Sequence, residues 1–301
     1  MSRRLWALRH YLRLIEKPHL RRARDPVKLR RSFERSARLL FHPMRGTGFA
    51  QADLGPDAGR GRGVEITPAQ VRGGPLILYF HGGGYVFGAP ETHQAMIARL
   101  CALTGLRAVL PRYRLAPEHP FPAAPDDALA AYRAVMHHPG GVILGGDSAG
   151  GGLVLGLLGQ VLAQGLPLPL GCFAFSPLTD MTFSGDSVRA NARAEAVLPV
   201  ERIADMSRMY LNGAAADDPR ASPLRAAFRG APPVWLAVGD TEILFDDSRR
   251  MAAHLMAEDV DVTCVIERDM PHVWPIFQTV LPEARQTLTE LAAWITSLSR
   301  L

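Results

Sequence analysis

Gly146-Asp147-Ser148-Ala149-Gly150 stands between a short apolar run, Gly141 to Gly145, and a long one, Gly151 to Leu162. The first run predicts a strand and the second a helix, so Ser148 falls on the turn between them, in the pattern G-x-S-x-G. Such a turn must be tight. Glycine at both flanks leaves room where a side chain would crowd the neighbouring strand or helix. A serine on this turn carries its hydroxyl at the C-terminal edge of a sheet, beside the free N–H groups of a helix N-terminus. Ser148 is therefore the candidate nucleophile of an α/β domain.

Outward from the turn, the chain alternates strand and helix signals. Upstream, Val64 to Thr67 and Pro75 to Phe80 read as strands separated by the turn Arg72-Gly73-Gly74, and residues 46 to 63, rich in Gly, Asp and Pro, read as a loop. Glu91 to Thr104 predicts a helix and Arg107 to Pro111 a strand. The proline-dense stretch from Arg112 to Ala124 cannot be regular structure. Asp126 and Asp127 then open an alanine-rich helix, where carboxylates suit the dipole. Downstream, Leu170 to Phe175, Pro233 to Val238 and Val262 to Ile266 read as strands. Residues 178 to 231 lack the alternation of the core and hold one helix, around Val200 to Leu211. Asp246 and Asp247 are expected to cap a helix from about Ser248 to Ala257, and a C-terminal helical pattern from Ile276 is broken at Pro282.

Two further groups sit where a serine nucleophile needs them. An acid just past a strand end can orient an imidazole and stabilise its cation, and Asp240 and Glu242 both follow the strand ending at Val238. His272 lies in a proline-bounded turn after the last strand, from which it can reach across the sheet edge to Ser148. His10, His42, His93, His137, His138 and His254 lack such a setting. His81 precedes the serine and opens the run His81-Gly82-Gly83-Gly84, and is read as a loop-shaping residue rather than a base. Consecutive glycines there suit an oxyanion hole, because backbone N–H groups must point into a cleft in conformations that Cβ atoms obstruct.

Together, His81-Gly-Gly-Gly84, Tyr113-Arg-Leu-Ala-Pro-Glu-His-Pro-Phe-Pro122, Gly146-Asp-Ser-Ala-Gly150 and Met270-Pro-His-Val-Trp274 resemble the hormone-sensitive-lipase-like esterases, bacterial family IV, in their GDSAG branch. The likeness runs from about residue 60 to the C-terminus and, more loosely, over the N-terminal helices. It implies an α/β-hydrolase fold: a mostly parallel central sheet flanked by helices, covered by a helical cap from the N-terminal segment and an insertion after the strand ending near Phe175. The implied division is residues 1–50 and 181–225 for the cap, and 51–180 and 226–301 for the core. The order Ser, acid, His agrees with that fold. The resemblance places oxyanion donors at the N–H groups of Gly82, Gly83 and Ala149. The family's Asp-x-Leu-x-Asp signature falls on Glu242-Ile-Leu-Phe-Asp246, which favours Glu242 as the acid and keeps Asp240 as the alternative. Where the family has Asp before the Tyr-Arg-Leu-Ala-Pro run, this chain has Arg112, a change in bracing.

The activity so implied is hydrolysis of small-molecule esters of short to medium acyl chain by a serine carboxylesterase, without metal or organic cofactor. An amidase or lactonase on the same residues, and a noncatalytic small-ligand receptor on the same fold, are the alternatives. Met206, Met209, Tyr210 and Phe183 are candidates either for an acyl pocket or for ordinary core.

Composition agrees with a globular chain of 301 residues, 48% hydrophobic and 21% charged, with no apolar run long enough to span a membrane. Cys101, Cys172 and Cys264 are scattered and lack metal-ligand spacing, so they read as free thiols in a reducing, cytoplasmic setting. The net charge of +5 is local in origin: residues 1–45 hold fourteen Lys or Arg against three acids. That segment predicts two amphipathic helices, broken at Pro18 and at Asp25-Pro26, packed on the main domain with arginines outward. Membrane contact by this basic segment is the lesser reading, and no nucleic-acid motif accompanies it. A homodimer through the last strand is a further implication of the resemblance.

Overall fold

A computed structural model describes residues 2–56 and 61–298. Among these residues eight strands form one sheet: β1 (Gly48–Asp53), β2 (Arg62–Thr67), β3 (Leu76–Phe80), β4 (Ala108–Pro111), β5 (Val142–Asp147), β6 (Gly171–Phe175), β7 (Val234–Gly239) and β8 (Val262–Glu267), in the order β1-β2-β4-β3-β5-β6-β7-β8. Antiparallel pairing joins β1 to β2 and β2 to β4, and the six strands from β4 to β8 run parallel. Strands β3, β5, β6 and β7 are buried along their whole length, as expected of continuous apolar runs covered on both faces.

The helices in chain order are α1 (Arg3–Tyr11), α2 (Lys17–Arg22), α3 (Pro26–Leu40), α4 (Pro90–Thr104), α5 (Ala123–Val135), α6 (Ala149–Ala163), α7 (Ser187–Ala190), α8 (Ile203–Leu211), α9 (Phe245–Ala257) and α10 (Pro282–Leu298). The core lies in two layers. Leu78, Leu144, Leu236 and the apolar face of α6 pack on one side of the sheet; Ile77, Ile143, Trp235 and the faces of α4 and α10 pack on the other. All parallel strands therefore point their C-terminal ends to one edge, where β5 meets α6.

Three local expectations are corrected. The stretch 46–63 holds β1 and the start of β2 and is not a single loop. β1 is an edge strand with only Ala52 buried, so it carries no apolar alternation to read. Pro18 does not break the first helix: the chain passes from α1 through a π-helical turn, Leu12–Glu16, into α2. Proline lacks the N–H that would bond back along the helix, and the wider turn before it accommodates the ring. Pro26 does open α3, with Asp25 as its cap, accepting the N–H groups of Val27 (2.9 Å) and Lys28 (3.1 Å). Asp246 and Asp247 are not caps but lie inside the first turn of α9. Their carboxylates accept N–H groups from across the fold, Asp246 from Ser187 (2.8 Å) and Asp247 from Thr179 (2.7 Å) and Asp180 (3.0 Å).

Candidate active site

Ser148 occupies the junction of β5 and α6 with φ 52° and ψ −121°, a conformation that L-residues avoid. The surroundings hold it there. Its N–H donates to the Phe175 carbonyl at 2.8 Å, and its own carbonyl accepts the N–H groups of Leu178 (2.9 Å) and Gly152 (3.0 Å). A Cβ at Gly146 would lie 2.3 Å from the Gly150 carbonyl oxygen, and one at Gly150 would lie 2.1 Å from that of Phe80. Only glycine fits either flank.

Glu242 and His272 converge on this serine from the ends of β7 and β8. His272 Nε2 lies 2.9 Å from Ser148 Oγ, and Nδ1 lies 2.6 Å from Glu242 Oε2. The other Glu242 oxygen accepts the Ser176 hydroxyl at 2.8 Å and the Gly239 N–H at 2.6 Å. Ser176 Oγ in turn accepts the Val273 N–H at 3.1 Å. One hydroxyl thus ties the acid to the turn that carries the base, a role no motif announced. His272 and Glu242 are buried, with Ser148 half-buried above them. Burial alone would lower the His272 pKa, but the hydrogen bond and charge of Glu242, with the charges of Glu195 and Asp147, outweigh it and raise the pKa above its ordinary value.

Asp240, the alternative acid, faces away from this chain of bonds. Its Oδ1 accepts the Asp269 N–H at 2.7 Å and so braces the turn leading to His272.

The Gly82 N–H is also elsewhere. It donates to Asp147 Oδ1 at 3.0 Å, and a Cβ at Gly82 would lie 2.2 Å from Asp147 Oδ2. That N–H is occupied, which removes Gly82 from the expected oxyanion donors. Gly83 and Gly84, at φ 118° and 59°, have N–H groups without a protein acceptor among the described residues, as has Ala149 at the start of α6.

Asp147 is the hub beneath this loop. Besides Gly82, it accepts the Tyr79 hydroxyl at 2.6 Å and lies 3.3 Å from His93 Nε2. Burial pushes its pKa up, but His93 and the Tyr79 hydroxyl prevail and hold it below the ordinary carboxylate range. His81 Nδ1 donates to the Gly82 carbonyl at 2.8 Å, and its ring stacks on Tyr113. Burial, with His93 adding to it, lowers the His81 pKa to about 3, so the imidazole stays neutral and shapes the loop. Arg112 pairs with Glu91, and Asp127 receives the Arg114 guanidinium at 2.7 Å; neither pair is hydrogen-bonded to Ser148.

A cavity of about 210 Å³ opens above Ser148 and His272. Leu12, Leu29, Phe33 and Leu40 of the N-terminal helices line it, with Phe183, Val197, Leu198, Met206 and Met209 of the segment between β6 and β7. Tyr210 does not; it is buried against Tyr85, ring centroids 3.8 Å apart. The N-terminal helices are fixed over the cavity by Arg30, which donates to the carbonyls of Val86 (2.8 Å) and Ala116 (2.7 Å) and pairs with Glu118 at 2.6 Å. Among the described residues no group of three or more His, Cys, Asp or Glu is arranged to hold a metal ion, and no helix is long and apolar enough to cross a membrane. Cys101, Cys172 and Cys264 are free thiols.

A buried carboxylate, an imidazole and a serine in one hydrogen-bonded chain, with free backbone N–H groups beside the hydroxyl, define a site equipped for acyl transfer on an α/β-hydrolase scaffold. Residues 77–276 match the family described as alpha/beta hydrolase fold. The chain is 35% identical over 233 residues to an acetyl-hydrolase of Streptomyces hygroscopicus, covering 76% of this chain and 78% of that one. It is 35% identical over 241 residues to an esterase of Acinetobacter venetianus, covering 79% of each. A crystal structure of an esterase from the bacterial hormone-sensitive lipase family superposes with a TM-score of 0.91 at 33% identity, over 100% of this chain and 98% of that one. The chain belongs to the α/β-hydrolase fold family and, within it, to the hormone-sensitive-lipase-like esterases of bacterial family IV. It is a carboxylic ester hydrolase.

Proposed function

We propose that the chain is a serine carboxylesterase acting on esters of short to medium acyl chain, with Ser148 as nucleophile, His272 as general base and acid, and Glu242 as its orienting carboxylate. The observation that carries this reading is the continuous hydrogen-bonded path from Glu242 through His272 to Ser148 at the floor of an apolar cavity. His272 Nε2 takes the hydroxyl proton as Ser148 Oγ attacks the ester carbonyl, and Glu242 stabilises the imidazolium that forms. The developing oxyanion is received by the free N–H groups of Gly83, Gly84 and Ala149, each worth on the order of 3 kcal/mol of barrier. His272 then protonates the leaving alcohol, and a water deprotonated by the same imidazole releases the acid.

The N-terminal helices and the segment 181–225 act as a cap in this reading. Both contribute apolar side chains to the cavity wall, and its volume of about 210 Å³ suits a short to medium acyl chain rather than a long one. The test is hydrolysis of p-nitrophenyl esters of increasing acyl length by wild type and Ser148→Ala. Activity is expected to peak at short chains and to be lost in the variant; a rate that climbs through the longest chains, or persists in Ser148→Ala, overturns the reading.

A further inference from the structure

Next to the Glu242–His272 pair lies a second carboxylate that the proton transfers do not use. Glu195, in the cap segment between β6 and β7, is 1% exposed. One of its oxygens accepts the Val197 N–H at 2.7 Å; the other accepts, at 3.1 Å, the N–H of Ile243, the residue directly after Glu242. Asn191, one turn earlier, donates its side-chain amide to the carbonyls of Asp240 (3.1 Å) and Glu242 (2.8 Å). The loop carrying the acid is therefore gripped from the cap side by two side chains.

That grip is anchored outward to the N-terminal helices. Lys17 Nζ donates to the carbonyls of Ala192 (3.0 Å) and Glu195 (2.8 Å), and Arg13 donates to that of Ala194 (2.6 Å). The contact of Lys17 is with the Glu195 backbone. No salt bridge joins the Glu195 carboxylate to a cation among the described residues; two N–H donors hold it instead. A glutamine could offer one oxygen to one of these donors but would turn its NH₂ toward the other. Both bonds thus call for a carboxylate at a depth where a charge is costly.

We infer that Glu195 is a positioning residue for the esterase chemistry: it fixes the loop of Glu242 from the cap and sets a second negative charge beside the Glu242–His272 pair. The inference rests on the triad proposed above. The charged groups facing His272 are Glu242 from the loop after β7, Glu195 from the cap and Asp147 from the end of β5. Burial, with Glu242 adding to it, raises the Glu195 pKa above its ordinary value, while His272 and the two N–H donors oppose that rise and Lys17 lies on its outer side. All three carboxylates favour the imidazolium. Catalysis starts from neutral His272, so the acidic limb of kcat/KM is expected to lie above the ordinary histidine value.

The experiment measures kcat and KM against pH for the full chain and for Glu195→Gln and Glu195→Asp, with Ser148→Ala as the control. Glu195→Gln removes the charge, and its acidic limb is expected to move to lower pH by about half a unit or more. Glu195→Asp keeps the charge but is one methylene short. Its limb is expected to stay with wild type while kcat falls about tenfold and KM stays within about twofold. A folded Glu195→Gln with the wild-type limb overturns the electrostatic half of the inference. Wild-type kcat in Glu195→Asp overturns the positioning half, and that variant decides alone if Glu195→Gln does not fold. Activity in Ser148→Ala would instead sink the triad, whatever Glu195 does.

Discussion

Glu242 and Asp240 lie two residues apart on one loop and do different work. Glu242 meets His272 Nδ1 at 2.6 Å, whereas Asp240 accepts the Asp269 N–H at 2.7 Å. Glu242→Gln presents an amide to the imidazole and disrupts its tautomer and orientation, so kcat is expected to fall about 10³-fold or more. Asp240→Asn keeps an oxygen for the Asp269 N–H and is expected to stay within about fivefold of wild type. Rates of the two variants on one p-nitrophenyl ester decide between them, and a reversed ranking would make Asp240 the acid. At this scale the motifs point to residues that the fold brings together, His272 Nε2 and Ser148 Oγ at 2.9 Å, but the glycine motif misplaces one donor at Gly82. Ser148 and His272 follow from turn and order. The shared oxygen of Ser176, the occupied N–H of Gly82 and the grip of Glu195 were not legible, because each depends on a partner 48 to 97 residues away that no local pattern encodes.

At the scale of elements, the start of α9 joins core and cap. Asp247, fully buried, accepts N–H groups from Thr179 and Asp180 on the chain leaving β6, and one of its oxygens has no partner. Burial, helped by the charge of Asp180, raises its pKa to about 7 against the opposing N–H donors. A carboxyl raised in the fold binds its proton there when the unfolded chain has already lost it. Between the unfolded carboxylate range and about pH 7, stability therefore drops as pH rises. Asp247→Asn retains the acceptor oxygen and removes the titration. Its melting temperature is expected to vary less between pH 5 and pH 8 than that of wild type, by a few degrees, roughly 1 kcal/mol. Parallel slopes for the two proteins would remove Asp247 as the source. A carboxylate at a helix start predicts a cap, but this one answers to a loop 67 residues away. β1 was missed for a related reason, since an edge strand open to solvent needs no apolar code, and the π-turn before Pro18 is a local repair invisible to helical periodicity.

Across the whole molecule, the sheet places its chemistry at the C-terminal ends of β5, β7 and β8 and leaves two edges. β8 pairs only with β7 among the described residues, and its run Val262-Thr-Cys-Val-Ile-Glu267 is largely apolar, with Ile266 49% exposed. An apolar edge strand with unpaired N–H and C=O groups is a template for another strand. We expect two copies to join β8 to β8, making one continuous sheet from two of eight strands. The strand runs straight into the turn that carries His272, so pairing would also steady the base. Ile266→Lys adds a charge at a position exposed in the single chain, and like charges would meet or lie near one another across the twofold axis. Light scattering after size exclusion should give wild type twice the chain mass of 32.8 kDa and the variant that mass alone, with a lower melting temperature. A wild-type mass of one chain at every concentration, or an unaltered dimer in Ile266→Lys, would show that β8 is a bare edge and that His272 is held by its own turn.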